Sequence, residues 1–296
     1  MGLELENVSK YYGDKLVLDK LNLKFDKPGV YGLLGTNGAG KTTAIRIILG
    51  ILKKNEGRIL WNNKKIFSNN REFGYLPEER GLYPKVKVYS QLMYFAKLKG
   101  LTKNEAKVAI DYWVTKLDAK RYLNMTADQL SKGNQQKIQF IMSFIHDPNL
   151  IIMDEPFSGL DPINTQVLRN IIWELVSKGK YILMSAHIMS IIEEFASDIV
   201  ILDEGKTVLQ GNLQKIKNSY KSNEVQVICE QDIQDILNSH NSEYTEKDGI
   251  FNIKISDTEE GNRLLEEVKG RGLIKFEFRK PSLNDIFIEK IGIGEE

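Results

Sequence analysis

The stretch "GTNGAGKTT", Gly35 to Thr43, constrains this chain more than any other. It fits G-x-x-x-x-G-K-[ST] and stands between a short apolar run, "GVYGLLG", and a helix-like segment, "KTTAIRIILGIL". A strand that turns through small residues straight into a helix leaves backbone N–H groups converging on one point, which suits a phosphate. Gly35, Gly38 and Gly40 keep that approach bare, and Thr36, Asn37 and Ala39 complete the loop. Lys41 offers a point charge to the outer phosphates. Thr42, followed by Thr43, offers a hydroxyl to Mg²⁺.

The surrounding pattern is α/β with a helical insertion. "LVLDKLNLKF" alternates with period two. The helix after the phosphate loop is expected to run to about Lys53 and Lys54, where cations suit a C-terminus. "GRILWNN" and "KKIFS" read as a hairpin. Helices fill the chain from about Tyr89 to Ile145, including "SQLMYFAKLKG" with its glycine stop and "KNEAKVAIDYWVTKL". Buried strands then return in "LIIMDE", "KYILMSA" and "DIVILDEGKTVLQG". Near Asn218 the polar "NSYKSNE" reads as a linker. Beyond it strands and helices alternate through "VQVICE", "QDIQDILNSH", "GIFNIKIS", "EEGNRLLEEVKGRG", "IKFEFRK" and "SLNDIFIEKIG". That part has no glycine-rich phosphate loop and no Cys/His cluster.

Two further strand ends carry chemistry. "LIIMDEP", residues 150 to 156, closes an apolar strand on two carboxylates. Downstream of a phosphate loop, Asp154 is a candidate Mg²⁺ ligand and Glu155 a candidate base for an attacking water. "SAH" ends another apolar strand, and His187 there can reach the outer phosphate or the water. His146 and His240 lack such company and read as surface or packing residues. A third feature is the helix start in "QLSKGNQQKIQF", residues 129 to 140. Ser131 and Gly133 stand ahead of a run of apolar positions at helical spacing. The first turn of a helix has free N–H groups and partial positive charge, so it suits an anion.

Bulk properties exclude several classes. The net charge is +1, so no overall basic character points to nucleic acid. A single cysteine, Cys229, rules out an internal disulfide and suits a reducing compartment. "MGLELENVSKYYG" has neither the basic nor the apolar region of a secretory leader, and Gly2 lacks the myristoylation spacing. The longest apolar runs fall far short of the roughly 20 residues that cross a bilayer. Work at a membrane therefore requires another chain to span it.

Taken together, these motifs resemble those of the ATP-binding cassette subunits of ABC transporters. "GTNGAGKTT" resembles that family's Walker A and "LIIMDEP" its Walker B with the following glutamate. "SGLD", Ser158 to Asp161, resembles the D-loop and His187 the switch histidine. "SKYYG" resembles the aromatic loop in which Tyr12 stacks on adenine. "LSKGNQQ" resembles the signature usually written L-S-G-G-Q. The likeness runs from about residue 3 to 215 in one continuous order. It implies an α/β P-loop NTPase of the ABC ATPase fold over residues 1–218. The expected parts are a mixed sheet core, an antiparallel β subdomain and an α-helical signature subdomain over about 86–147. Residues 219–296 form a small C-terminal α+β domain, and "PSLNDIFIEK" resembles the accessory domain of a bacterial sodium- and drug-extrusion branch.

The resemblance also implies ATP and Mg²⁺ as cofactors and a second cassette paired head to tail. Ser131, Gly133 and Asn134 of one cassette would then meet ATP held by the other, with Asp161 near the same interface. It implies a separately encoded membrane permease, location at the cytoplasmic face of the cell membrane, and hydrolysis that resets the pair. Two departures stand out. Lys132 and Asn134 replace a glycine and a glutamine of the signature. Glu78, in "FGYLPEERGLYP", stands where the family has the glutamine that touches Mg²⁺ and relays to the permease. Glu78 is accordingly a candidate metal ligand and catalytic residue. Its other reading is an ion pair of Glu78 or Glu79 with Arg80 or with the permease. A soluble ATPase of the same fold, in repair or translation, is the alternative function. Against it, only about ninety residues separate phosphate loop and signature, with no sustained heptads, and there is one Walker A. A regulatory module without hydrolysis has no use for Glu155.

Overall fold

The computed structural model describes residues 2–66, 71–79, 81–186, 188–220, 224–240 and 242–292. It divides into two compact units, Met1–Gln210 and Gly211–Glu296.

The first unit is built on two sheets. The antiparallel sheet has β1 (Leu3–Tyr12), β2 (Lys15–Phe25), β4 (Glu56–Trp61) and β5 (Lys64–Lys65) in the order β2-β1-β4-β5. The turn between β4 and β5 holds Asn62 and Asn63, both at positive φ, as a two-residue hairpin with right-handed twist requires. The larger sheet has β3 (Gly29–Gly35), β6 (Phe73–Leu76), β7 (Leu150–Met153), β8 (Tyr181–Ser185), β9 (Ala196–Asp203) and β10 (Lys206–Asn212). Its order is β10-β9-β3-β8-β7-β6, and the pairs among β3, β6, β7, β8 and β9 are parallel. β3 and β7 are buried at every residue, which is why "GVYGLLG" and "LIIM" are continuous apolar runs rather than alternating ones.

Helix α1 (Lys41–Ile48) leaves β3 through the glycine-rich loop. Its Ile45 and Ile48 sink fully into a core shared with Leu3, Leu5, Leu18, Leu21 and Leu33. Each such burial contributes about 1.5–3 kcal/mol. The helix does not reach Lys53 and Lys54 as its sequence suggests. The N–H groups of Ile51 and Leu52 turn back onto the Arg46 carbonyl, so backbone rather than lysines closes the C-terminus.

The helical insertion holds α2 (Val88–Leu98), α3 (Lys103–Lys116) and α4 (Lys132–Phe144). Thr102 and Glu105 form a reciprocal capping box at the start of α3. Ser131 caps α4, accepting from the Asn134 N–H at 3.4 Å. Helices α5 (Pro162–Ser177) and α6 (Met189–Phe195) flank β8 in sequence.

In the second unit α7 (Leu213–Ser219) precedes a four-stranded antiparallel sheet. Its strands are β11 (Glu224–Cys229), β12 (Tyr244–Lys247), β13 (Ile250–Lys254) and β14 (Leu273–Arg279), in the order β12-β13-β11-β14. Helices α8 (Gln234–Ser239), α9 (Thr258–Val268) and α10 (Leu283–Ile291) complete it. Val225, Val227, Phe251 and Ile253 share a separate core with Leu237, Leu264 and Val268. The unit is α+β, but strand β12 was not legible: "YTEK" is polar and exposed along most of its length.

Candidate functional site

A cleft of about 310 Å³ opens where β3 and β7 end. Thr36, Asn37, Gly38, Gly40, Lys41, Thr42 and Thr43 line one side, and Asp154, Glu155 and Glu78 the other. Parallel strands bring chemistry to their carboxyl ends, and here two strands far apart in sequence do so at one place. Gly35 and Ala39 are buried beneath the loop and do not line it.

Gly40 is held at φ 102°, and a Cβ there would stand 2.8 Å from Leu18 Cδ2 and 2.9 Å from the Val17 carbonyl. Only glycine fits. Gly38 faces open space. The bare loop is therefore a cradle for a group that brings its own oxygens. Lys41 is buried, and its Nζ donates to the carbonyls of Gly35 at 2.7 Å and Thr36 at 3.1 Å. Burial pushes its pKa down, while Glu155, Asp154 and Glu78 push it back up. The cation thus faces all three carboxylates.

Thr42 Oγ1 donates to Asp154 Oδ2 at 3.4 Å. Asp154 Oδ1 accepts from Ser185 Oγ at 2.6 Å, and Ser185 Oγ in turn accepts the Glu155 N–H at 3.0 Å. One buried hydroxyl therefore fixes both acids. A hydroxyl and a carboxylate side by side are hard oxygen donors of the kind Mg²⁺ takes, so the residues fit that ion. Glu155 is buried and sits at φ 50°, in the left-handed region. For a glutamate that is strained by about 1–3 kcal/mol, as is common where chemistry occurs.

Helix α4 reaches this region with its side chains. Gln136 Nε2 donates to the Pro156 carbonyl at 3.0 Å. Gln139 Nε2 donates to the carbonyls of Pro77 at 3.1 Å and Glu79 at 3.0 Å, on either side of Glu78. Its first turn lies elsewhere: among the described residues Ser131, Gly133 and Asn134 do not line the cleft. Gly133 instead packs against the start of α5. A Cβ there would stand 2.5 Å from Asn164 Nδ2 and 3.2 Å from Asp161 Oδ2. Asp161 caps α5, accepting from the Asn164 N–H at 2.9 Å and from Asn164 Nδ2 at 2.6 Å. The Asn164 N–H bond holds its carboxyl below the usual range. Ser131 and Lys132 are exposed.

Tyr12, the last residue of β1, is half exposed with Lys10 Nζ 5.1 Å from its ring centre, and it is outside the cleft lining. His187 and Arg80 lie outside the described residues. His146, read from sequence as surface or packing, is buried, and its Nε2 meets the Phe73 carbonyl at 3.0 Å. His240 is exposed beside Glu267. Sequence reasoning missed Ser185, Gln136 and Gln139. The available signal was a polar residue ending the apolar run "YILMS", and two glutamines on the buried side of α4.

Comparison with known proteins points to one family. Residues 18–158 match the family described as ABC transporter. Residues 211–291 match the C-terminal domain of ATP-binding proteins like DrrA1-3. The chain is 43% identical to the ABC transporter ATP-binding protein YhaQ of Bacillus subtilis, covering 98% of each chain. It is 31% identical to the bacitracin transport ATP-binding protein BcrA of Bacillus licheniformis, covering 99% of this chain and 98% of that one. A solved ATP-binding subunit of an ABC transporter superposes with a TM-score of 0.69 at 31% identity, over 74% of this chain and 93% of the other.

Proposed function

Because the chain belongs to the ATP-binding subunits of ABC transporters, ATPases that power transport through a separate membrane component, we propose how its own residues divide the work. The observation that carries the reading is the meeting of Lys41, Thr42, Asp154 and Glu155 in one cleft. The loop from Gly35 to Thr43 wraps the phosphates of ATP with backbone N–H groups, and Lys41 exchanges its two carbonyl partners for phosphate oxygens. Thr42 and Asp154 would hold Mg²⁺, and Glu78 lines the same cleft. The ion supplies positive charge against the negative charge that gathers on the transferred phosphoryl group. Glu155 takes the proton of the attacking water. Ser185 keeps Asp154 and Glu155 aimed as this happens. Tyr12 stacks on the adenine.

The signature residues serve a second copy, or a paralogue, of the chain. Their separation from the cleft supports this: Ser131 is exposed and cannot serve a nucleotide it does not face. Two cassettes therefore close head to tail over two ATP, with Ser131, Gly133 and Asn134 of each on the other's outer phosphate. Closure draws on the higher affinity of the closed pair for ATP, and hydrolysis reopens it. The pair drives export through a permease at the cytoplasmic face of the membrane. Among the described residues no helix is long and apolar enough to cross it. Residues 219–296 act as an accessory part that stabilises the pair or meets the permease without touching ATP.

Mixing two inactive variants tests the arrangement. Ser131→Arg should leave nucleotide affinity of the single chain intact and abolish turnover. Lys41→Ala should abolish binding. Mixed, they form one composite site with both defects and one with neither, so activity returns. Loss of nucleotide binding by isolated Ser131→Arg would place the signature on its own chain's ATP instead.

A further inference from the structure

β6 is an edge strand of its sheet. The carbonyls of Glu72 and Leu76 accept N–H groups of Leu150 and Asp154, so those of Phe73 and Tyr75 point away from β7. The α4 segment meets that outward row. His146 Nε2 lies 3.0 Å from the Phe73 carbonyl, and Ser143 Oγ donates to the Tyr75 carbonyl at 2.8 Å. Gln139 Nε2 continues the row to the carbonyls of Pro77 and Glu79. Gln139 and Ser143 stand one turn apart on α4, and His146 follows just past the end of the helix.

The first two contacts hold a strand. The last holds the segment after it, on both sides of Glu78. Gln139 is 4% exposed, so a carbonyl released there would lose a partner that water does not readily replace. The same helix begins at Ser131.

We propose that Gln139 is the positioning residue for Glu78, tying the carboxylate's loop to α4 so that the helix and the loop move as one. The inference rests on the reading above, in which Glu78 faces the metal and Ser131 the partner's nucleotide. Seating of α4 against the partner's ATP then also sets Glu78 at the chain's own ATP, and the two nucleotide sites of a pair become coupled through one side chain.

The test uses the full-length chain carrying Glu155→Gln, so that binding is read without turnover. Binding of a fluorescent ATP analogue is titrated with Mg²⁺, and amide exchange of residues 78–79 is followed without nucleotide. Gln139→Met keeps the volume and removes the donors. Gln139→Glu keeps the shape and sets a carboxylate against two carbonyls. Both should speed exchange and raise the Mg²⁺ midpoint by about three- to tenfold, as one or two lost hydrogen bonds imply. Adding Glu78→Gln to Gln139→Met should then raise the midpoint no further than Glu78→Gln does alone. Unchanged exchange in both Gln139 variants overturns the proposal. So does a midpoint that moves in Glu78→Gln but in neither Gln139 variant. Faster exchange with no midpoint shift in any variant, Glu78→Gln included, overturns the metal-facing reading of Glu78 while leaving the hold of Gln139 on the loop intact.

Discussion

The Ser185 hydroxyl donates to the Asp154 carboxylate at 2.6 Å, from the end of one buried strand to the end of the next. Since the same oxygen accepts the Glu155 N–H, Ser185→Ala removes two bonds from a buried place. Stability should fall by about 1–3 kcal/mol, the cost of a buried donor left without a partner. ATPase turnover should fall by roughly 10–100-fold, as for loss of a group that orients a metal ligand. Urea unfolding and steady-state ATPase measure the two. If neither moves, the serine only fills space.

Glu155→Gln keeps the size of the side chain and removes the base. Nucleotide binding should persist, while turnover drops by about two to four orders of magnitude. With ATP and Mg²⁺ the variant should elute as a dimer on size exclusion, because closure survives and reopening does not. Near-normal turnover would take Glu155 out of the mechanism.

Gly133→Ala drives a methyl group into Asn164 Nδ2 and toward Asp161. The Asn164 amide, tied to Asp161, must give way, at a cost of about 1–3 kcal/mol. Affinity of the single chain for nucleotide should stay within about twofold, since the cleft lies elsewhere, an effect under roughly 0.4 kcal/mol. Turnover should fall, and Asn164→Ala in the same chain should restore part of it by making room. Failure of that rescue would show that the glycine is needed for something other than this approach.

His146 titrates far from its ordinary range: burial moves it down to about 4 from 6.5, partly offset by the Phe73 carbonyl. The unfolded chain therefore binds the proton first. The contribution is complete above about pH 6.5 and is lost progressively as pH falls toward 4, by at most about 3 kcal/mol. Thermal melts from pH 7.5 to 4.5 should show this decline. In His146→Gln, which can still donate to Phe73, the slope in that window should be smaller. Equal slopes would assign the acid sensitivity to other groups.

What sequence could show was what is local. The phosphate loop is a run of nine residues whose meaning lies in its own spacing, and "LIIMDEP" needs only the strand before it. The roles of Ser185, Gln139 and His146 depend on partners 31, 62 and 73 positions away. No spacing records such a partner. The extent of α1 was misjudged for a related reason. Lysines at a helix end are a weak preference, and the turn that closes the helix at Ile48 uses backbone groups that every residue carries. β12 escaped notice because a polar strand paired on one side has no period to read.

The left-handed backbone of Glu155 sets endurance against turnover at a single position. Gly or Asn would rest there with less effort, and Glu155→Gly should raise the melting temperature while ending catalysis. A search for heat-resistant variants by survival alone would be drawn to this site among others. Any such selection has to score work as well as persistence, or it will return a hardier protein that no longer spends ATP.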